Sequence, residues 1–273
     1  MDIKKEQQPK GVFVFTVAEA WDQVIPIRNH IVEELAKETQ ISGFRKGNAP
    51  KELVEKGADP NKIDNEVINH LIPKIMEEIV KSEPKLQIVS QPKIRILKFV
   101  PGQAVEVEIT LVNKPKVTLG DWKKAASETP EKEDPMEKII AVSSVEIADV
   151  LTEQERDRML GRLVQQLEQL NLTLEGYLSS QNKKAEDLKT EYIKQAEKSL
   201  QTHFLLEEIV ASEKIEVTDE EIKAAIEAAP TAEAKKTLEN DDQKWYIKSI
   251  LARNKAINLI YEHSHPHSHW KRN

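Results

Sequence analysis

Ile41-Ser42-Gly43-Phe44-Arg45-Lys46-Gly47-Asn48-Ala49-Pro50 separates two helical patterns, and its reading as a boundary decides how the first half of the chain folds. Two glycines frame one aromatic residue and two cations. Gly43 and Gly47 permit backbone angles that other residues resist, and Pro50 suits the first turn of a helix that Lys51 to Lys56 would form. The stretch therefore reads as a loop built to protrude. Arg45 and Lys46 on such a tip suit a phosphate or an acidic surface, and Phe44 can anchor in a partner's pocket.

On the amino-terminal side, Trp21, Val24, Ile25, Ile31, Val32, Leu35 and Ala36 recur at helical spacing between Glu19 and Glu38, with Pro26 tolerable only near the first turn. On the other side, Asp59-Pro60 supplies a cap and a first-turn proline. Ile63, Val67, Ile68, Leu71, Ile72, Ile75, Met76, Ile79 and Val80 then form a wide apolar stripe, which Pro73 is expected to kink. Strand signals flank both helices. Val12-Phe13-Val14-Phe15-Thr16-Val17 is β-branched and aromatic, and Pro9-Lys10-Gly11 turns it back toward Ile3 to Glu6 as a hairpin. Ile94 and Ile96, then Val105, Val107, Ile109 and Leu111, alternate with polar residues across Pro101-Gly102. Two antiparallel strands with one wet face are expected there. Strands before and after two long helices predict an α+β domain with the helices covering one face of an antiparallel sheet.

The second half reads as helix and turn. Thr152-Glu153-Gln154-Glu155 has the form of a capping box, followed by Met159, Leu160, Leu163, Val164, Leu167 and Leu170 on one face. Thr173 to Leu178 suggests a short helix, and Lys184 to Glu213 a long one with Leu188, Tyr192, Ala196, Leu200, Phe204, Ile209 and Val210 as its seam. Thr218-Asp219-Glu220-Glu221 is a second capping box, for a helix that Pro230 stops. A last helix is expected from Asp242 to Glu262 with Trp245, Ile250, Leu251, Ile257, Leu259, Ile260 and Tyr261.

The charge is unevenly distributed. Residues 1–116 hold 18 Lys+Arg against 17 Asp+Glu (+1), and residues 117–273 hold 22 against 30 (−8), which together give the net −7. An acidic second half argues against nucleic-acid backbone binding there, so an anionic partner belongs to the first half. The 273 residues carry no cysteine, which removes disulfides, thiolate nucleophiles and Cys-ligated metals and fits a reducing compartment. No apolar run approaches the roughly 20 residues of a membrane span. Met1 to Gln8 lacks the apolar region of a signal peptide, so a cytoplasmic protein without membrane association is expected.

The order of elements, with Gly43-Phe44-Arg45-Lys46-Gly47 and Pro50 after the first long helix, resembles the bacterial trigger factor family of ribosome-associated chaperones. Asn48 departs from that pattern, standing where a lysine is frequent. The resemblance implies that Gly43, Phe44, Arg45, Lys46, Gly47 and Pro50 bind the large ribosomal subunit, touching protein and ribosomal RNA beside the exit tunnel. It also implies unfolded or nascent polypeptides as clients and extends to this chain the homodimerisation that family members can show. Lys114 to Trp122 resembles the family's exit from its amino-terminal domain, and Val145 to Leu151 the re-entry into its carboxy-terminal domain. Common members carry a prolyl-isomerase domain between them. Such a domain needs on the order of 100 residues, which the polar, proline-containing interval from Trp122 to Ile139 cannot hold. The expectation is a trigger-factor-like chain without that domain, and not an enzyme.

Four segments are therefore expected. They are a ribosome-binding α+β domain over 1–118, a linker over 119–140, an all-α domain of helical arms over 141–262, and a disordered His-rich tail over 263–273. Few aromatics and long helical hairpins leave apolar surface for a client cradle, with Met159, Leu163, Leu167 and Phe204 as candidate contacts; burial in a bundle core is the competing reading of each, and of Trp245. His263, His265, His267 and His269 form a weak nickel or zinc candidate, against which stands a tail with incidental affinity; no ordered metal site and no cofactor are expected. Passive holding needs no ATP, and no phosphate-binding glycine loop is present. Three competing functions remain: a ribosome-independent holdase, a relative of periplasmic foldases whose arms look similar, and a residual prolyl isomerase.

Overall fold

The computed structural model describes residues 1–38, 44, 45, 50, 53, 54, 57 and 60–264, which divide between two units, Met1–Lys114 and Pro115–Asn273. In the first unit, β1 (Asp2–Gln8) and β2 (Val12–Glu19) form the expected hairpin. Lys10 (φ +60°) and Gly11 (φ +71°) take left-handed angles in the turn between them. Strands β3 (Lys93–Lys98) and β4 (Val105–Val112) complete an antiparallel sheet in the order β1-β2-β4-β3. The register sets Phe13 opposite Leu111, Phe15 opposite Ile109 and Val17 opposite Val107, and all six are buried. That period of two makes one apolar face, which the helices α1 (Trp21–Glu38) and α2 (Pro60–Ser82) cover with Val24, Ile31, Val32, Val67, Leu71, Ile75 and Ile79.

Two details differ from expectation. Strand β3 is exposed along most of its length, including Ile94 and Ile96, because it is the sheet edge; its alternation extends the apolar face past the helix cover, while Arg95 pairs with Glu108 at 3.0 Å. Pro26 and Pro73 both sit inside α1 and α2, which nevertheless run as continuous elements. Each proline deprives one carbonyl, at Asp22 and Asn69, of its helical donor. All four residues are exposed, so water can serve those carbonyls.

The second unit holds a two-stranded pair, β5 (Val117–Thr118) with β6 (Ser144–Val145), and eight described helices. These are α3 (Trp122–Ser127), α4 (Pro135–Val142), α5 (Asp149–Gln169), α6 (Leu174–Ser180), α7 (Ala185–Ser212), α8 (Asp219–Glu227), α9 (Ala232–Leu238) and α10 (Asp241–Ser264). Because β5 pairs with β6, Val117 and Thr118 belong to the second unit, and the division falls before Pro115 rather than after residue 118.

The stretch 119–140 is not a linker. Asp121 caps α3 by accepting from Lys124 N, Asp134 caps α4 by accepting from Met136 N, and Pro135 occupies the first turn that a proline tolerates. Trp122, Ala126 and Ile139 then bury against Leu206 and Ile209 of α7 and Ala256 and Ile260 of α10. Gly120 lies against the end of α4, where an added Cβ would meet the Val142 carbonyl oxygen at 2.0 Å. Two further corrections concern helix ends. α5 begins at Asp149 with Ala148 as N-cap, so Thr152 is a buried first-turn residue and not a cap; Ala148 and Leu151 are buried, and burial sets the start. α10 runs through Ser264, which places His263 in a helix, edge-on to Trp122 at 5.4 Å, and not in a tail. The second capping box is present as expected, Thr218 and Glu221 exchanging side-chain and backbone bonds at the start of α8.

Candidate functional site

The helical hairpin α5–α6–α7 is held along its length by packing of α5 on α7. Glu155, only 9% exposed, accepts two bonds from Arg158 (2.6 and 2.7 Å) and one from Ser199 Oγ of α7 (3.4 Å), so its charge is matched inside the seam. Leu167, near the end of α5, and Leu188 of α7 are also buried. Between Glu155 and Leu167 the hairpin opens on one face. α5 ends at Leu170, Asn171 turns with φ +56°, and Thr173 caps α6 by accepting from Gly176 N at 3.1 Å. The short α6 does not cover what α5 and α7 present there. A cleft of about 260 Å³ remains, lined by Leu160, Leu163, Val164, Leu174, Leu178 and Leu188, with Arg156, Asp157 and Lys189 around it.

The turn that follows is itself apolar. Leu170 is 68% exposed and Leu172 is exposed as well, so the tip adds apolar surface to that of the cleft. The far side of the tip is fastened by Lys183, which donates to Glu191 and is held above its usual range by that carboxylate, and by Asp187, which accepts from Lys184 N at the start of α7. Such a surface has no nucleophile–base pair. It can take up apolar side chains without reacting with them.

The expected client contacts divide between cleft and core. Leu163 lines the cleft and Met159 is half-buried one turn before it, but Leu167 (5% exposed) and Phe204 (3%) are packing residues of the interior. Helical periodicity marks a stripe without saying how far the partner helix extends, so it places buried and open positions together. Val164 and Leu170 were on that stripe but not among the candidate contacts, and Leu172, Leu174 and Leu178 lay outside it, although the alternation Leu170-Asn171-Leu172-Thr173-Leu174 across a helix end was a visible signal. Trp245, read as core, is 72% exposed on α10, next to exposed Tyr246.

In the first unit, Phe44 and Arg45 are exposed, as is Pro50. Gly43, Lys46 and Gly47 lie outside the described residues. The Pro50 carbonyl accepts from Leu53 N (2.9 Å) and Val54 N (3.2 Å), and Val54 is buried in the sheet–helix core. His265, His267 and His269 also lie outside the described residues, within which no three His, Cys, Asp or Glu side chains gather as for a metal ion.

Two family models match. Residues 1–142 match one described as bacterial trigger factor protein, and residues 116–262 match its carboxy-terminal counterpart. The trigger factors of Streptococcus pneumoniae strains Hungary19A-6 and CGSP14 are each 32% identical to this chain over 123 residues, 45% of this chain and 28% of theirs. The match thus spans little more than a quarter of those relatives' length. A solved structure described as "Promiscuous Substrate Recognition in Folding and Assembly Activities of the Trigger Factor Chaperone" superposes with a TM-score of 0.62 at 11% identity. That superposition covers 96% of this chain and 99% of the other, and at this identity it is a likeness of fold.

Proposed function

This chain belongs to the bacterial trigger factor family, and on that premise we propose that it is an ATP-independent chaperone of emerging polypeptides. The observation that carries the proposal is the apolar cleft and tip of the α5–α6–α7 hairpin, open in a unit whose other large side chains are mostly packed. Flexible aliphatic side chains at Leu160, Leu163, Leu170 and Leu172 tolerate many sequences, which a holding function requires. The loop Gly43–Pro50 is the tether in this reading: exposed Phe44 and Arg45, with Lys46, meet protein and ribosomal RNA of the large subunit near the exit tunnel. Tethering raises the effective concentration of the cleft near a new chain, so weak contacts suffice. Release follows when burial inside the folding client outcompetes the cleft.

Prolyl isomerisation is excluded from the proposal. Support comes from α3 and α4, which occupy the interval where relatives carry an isomerase and bury Trp122 and Ile139 in the helical core. No helix among the described residues is long and apolar enough to cross a membrane, and the proposed place of action is the cytoplasm. Co-sedimentation with ribosomes tests the tether. The wild type pellets with ribosomes, whereas Phe44→Ala, Arg45→Ala, Lys46→Ala together stay in the supernatant; equal pelleting sinks the assignment. Loss of pelleting with full suppression of client aggregation would leave the holding role intact.

A further inference from the structure

β3 (Lys93–Lys98) closes the sheet of the first unit on one side, and among the described residues no strand lies beyond it. Every second residue of an antiparallel edge strand turns its N–H and C=O outward, so β3 presents a row of backbone donors and acceptors for pairing. Its side chains continue both surfaces of the sheet. Ile94 and Ile96 stand in register with Ile109 and Val107 on the core face, yet they are 40% and 37% exposed where those partners are buried. On the opposite face Lys93, Arg95 and Lys98 stand in register with Thr110, Glu108 and Glu106 of β4, and Arg95 Nη2 donates to Glu108 Oε2 at 3.0 Å. An acidic β4 is thus followed outward by a basic β3.

We propose that β3 is a docking edge for an extended polypeptide whose side chains alternate between apolar and acidic, added as a fifth strand to the four-stranded sheet. Its apolar residues cover Ile94 and Ile96, and its carboxylates meet the cations of the other face, since opposite charges across a strand pair stabilise it. A second copy of this chain fits poorly. Two β3 strands side by side set cations against cations, and like charges directly opposite are destabilising. A nucleic acid matches the cations but leaves the backbone edge and the isoleucines unused. The bulge between Ile96 and Lys98 bends the strand and confines regular pairing to the residues before it. Such an edge rejects its own kind, admits a strand of complementary charge and holds it weakly.

The site lies within the first unit and does not rest on the chaperone reading, so the test uses the full chain without ribosome or aggregating client. Two short capped peptides serve as probes, one alternating valine with glutamate and the other valine with lysine, and amide exchange is read over Lys93–Lys98. With the glutamate peptide at about ten times its Kd, exchange of the outward amides of β3 should slow about tenfold. The lysine peptide should bind at least about fivefold more weakly, as expected of two or more cross-strand charge pairs. N-methylation of alternate amides separates strand pairing from charge: methylating the glutamate peptide on the set that faces β3 abolishes protection, and methylating the other set preserves it. Arg95→Glu should narrow or reverse the preference between the two peptides. No protection up to the solubility of the glutamate peptide, equal binding of both peptides, or equal behaviour of the two methylated forms overturns the docking edge. So does the same protection by an oligouridine RNA, or protection that grows with protein concentration in the absence of peptide, which would assign the edge to a second copy. Should Arg95→Glu fail to fold, the wild type's discrimination among the peptides decides.

Discussion

The layer Trp122–Val142 and the hairpin α5–α6–α7 invert what their compositions suggest. The first is polar, charged and broken by Pro130 and Pro135, yet Trp122 and Ile139 are buried. The second carries leucine at nearly every turn, yet leaves a cleft and an apolar tip in solvent. What separates them is the number of neighbours. α3 and α4 lie against both α7 and α10, whereas the end of the hairpin has only the seven-residue α6 to cover two long helices. Burial follows how many elements converge on a surface more than how apolar that surface is.

Breaking the first region should be costly. Trp122→Ala removes the largest side chain of the α3–α4 layer and should destabilise the second unit by about 3–5 kcal/mol, read by denaturant unfolding with separate probes for the two units. A loss below about 1 kcal/mol would return this stretch to the status of a linker. Gly120→Ala attacks the same layer through the backbone: with the Val142 oxygen 2.0 Å from the new Cβ, the α4 end must move, at about 1–3 kcal/mol. An unchanged melting temperature would show that the close approach does not persist in solution.

The opposite outcome is expected of the hairpin tip. Leu170→Ser with Leu172→Ser should alter stability by no more than about 0.5 kcal/mol for each exposed site while substantially weakening suppression of client aggregation. Intact suppression would remove the tip from the holding surface. The smallest effect is electrostatic. Glu137 of α4 accepts from Lys198 of α7, which holds its carboxyl below the ordinary range. A carboxylate with a lowered folded value adds stability above its unfolded value, near 4.3, and loses it as pH falls through the lowered one. Melting of the wild type should therefore drop slightly below about pH 4 relative to Glu137→Gln, with screening by salt keeping the difference small.

Sequence reading succeeded where partners are neighbours in the chain or where periodicity alone sets the face. Phe13, Phe15 and Val17 alternate inward as read, and Thr218 with Glu221 closes its capping box within four residues. It failed where the partner is remote. Trp122 and Ile139 find Ala256 and Ile260 more than 110 residues later, and no local pattern announces that meeting. Leu167 and Leu170 share a stripe, but the first is buried and the second open, so only tertiary packing separates a core leucine from an exposed one. At the loop, Phe44 and Arg45 are exposed as the glycine-framed pattern suggested, while Gly43, Lys46 and Gly47 fall outside the described residues.

The short pairing of Val117 with Val145 has a topological consequence. It brings departure and return of the chain together, so the segment between them is a closed excursion whose two ends meet. Closing an excursion costs only about 0.6 kcal/mol more for each doubling of its length. Such a clasp fixes where the enclosed segment starts and ends, whatever the length of the turns within it.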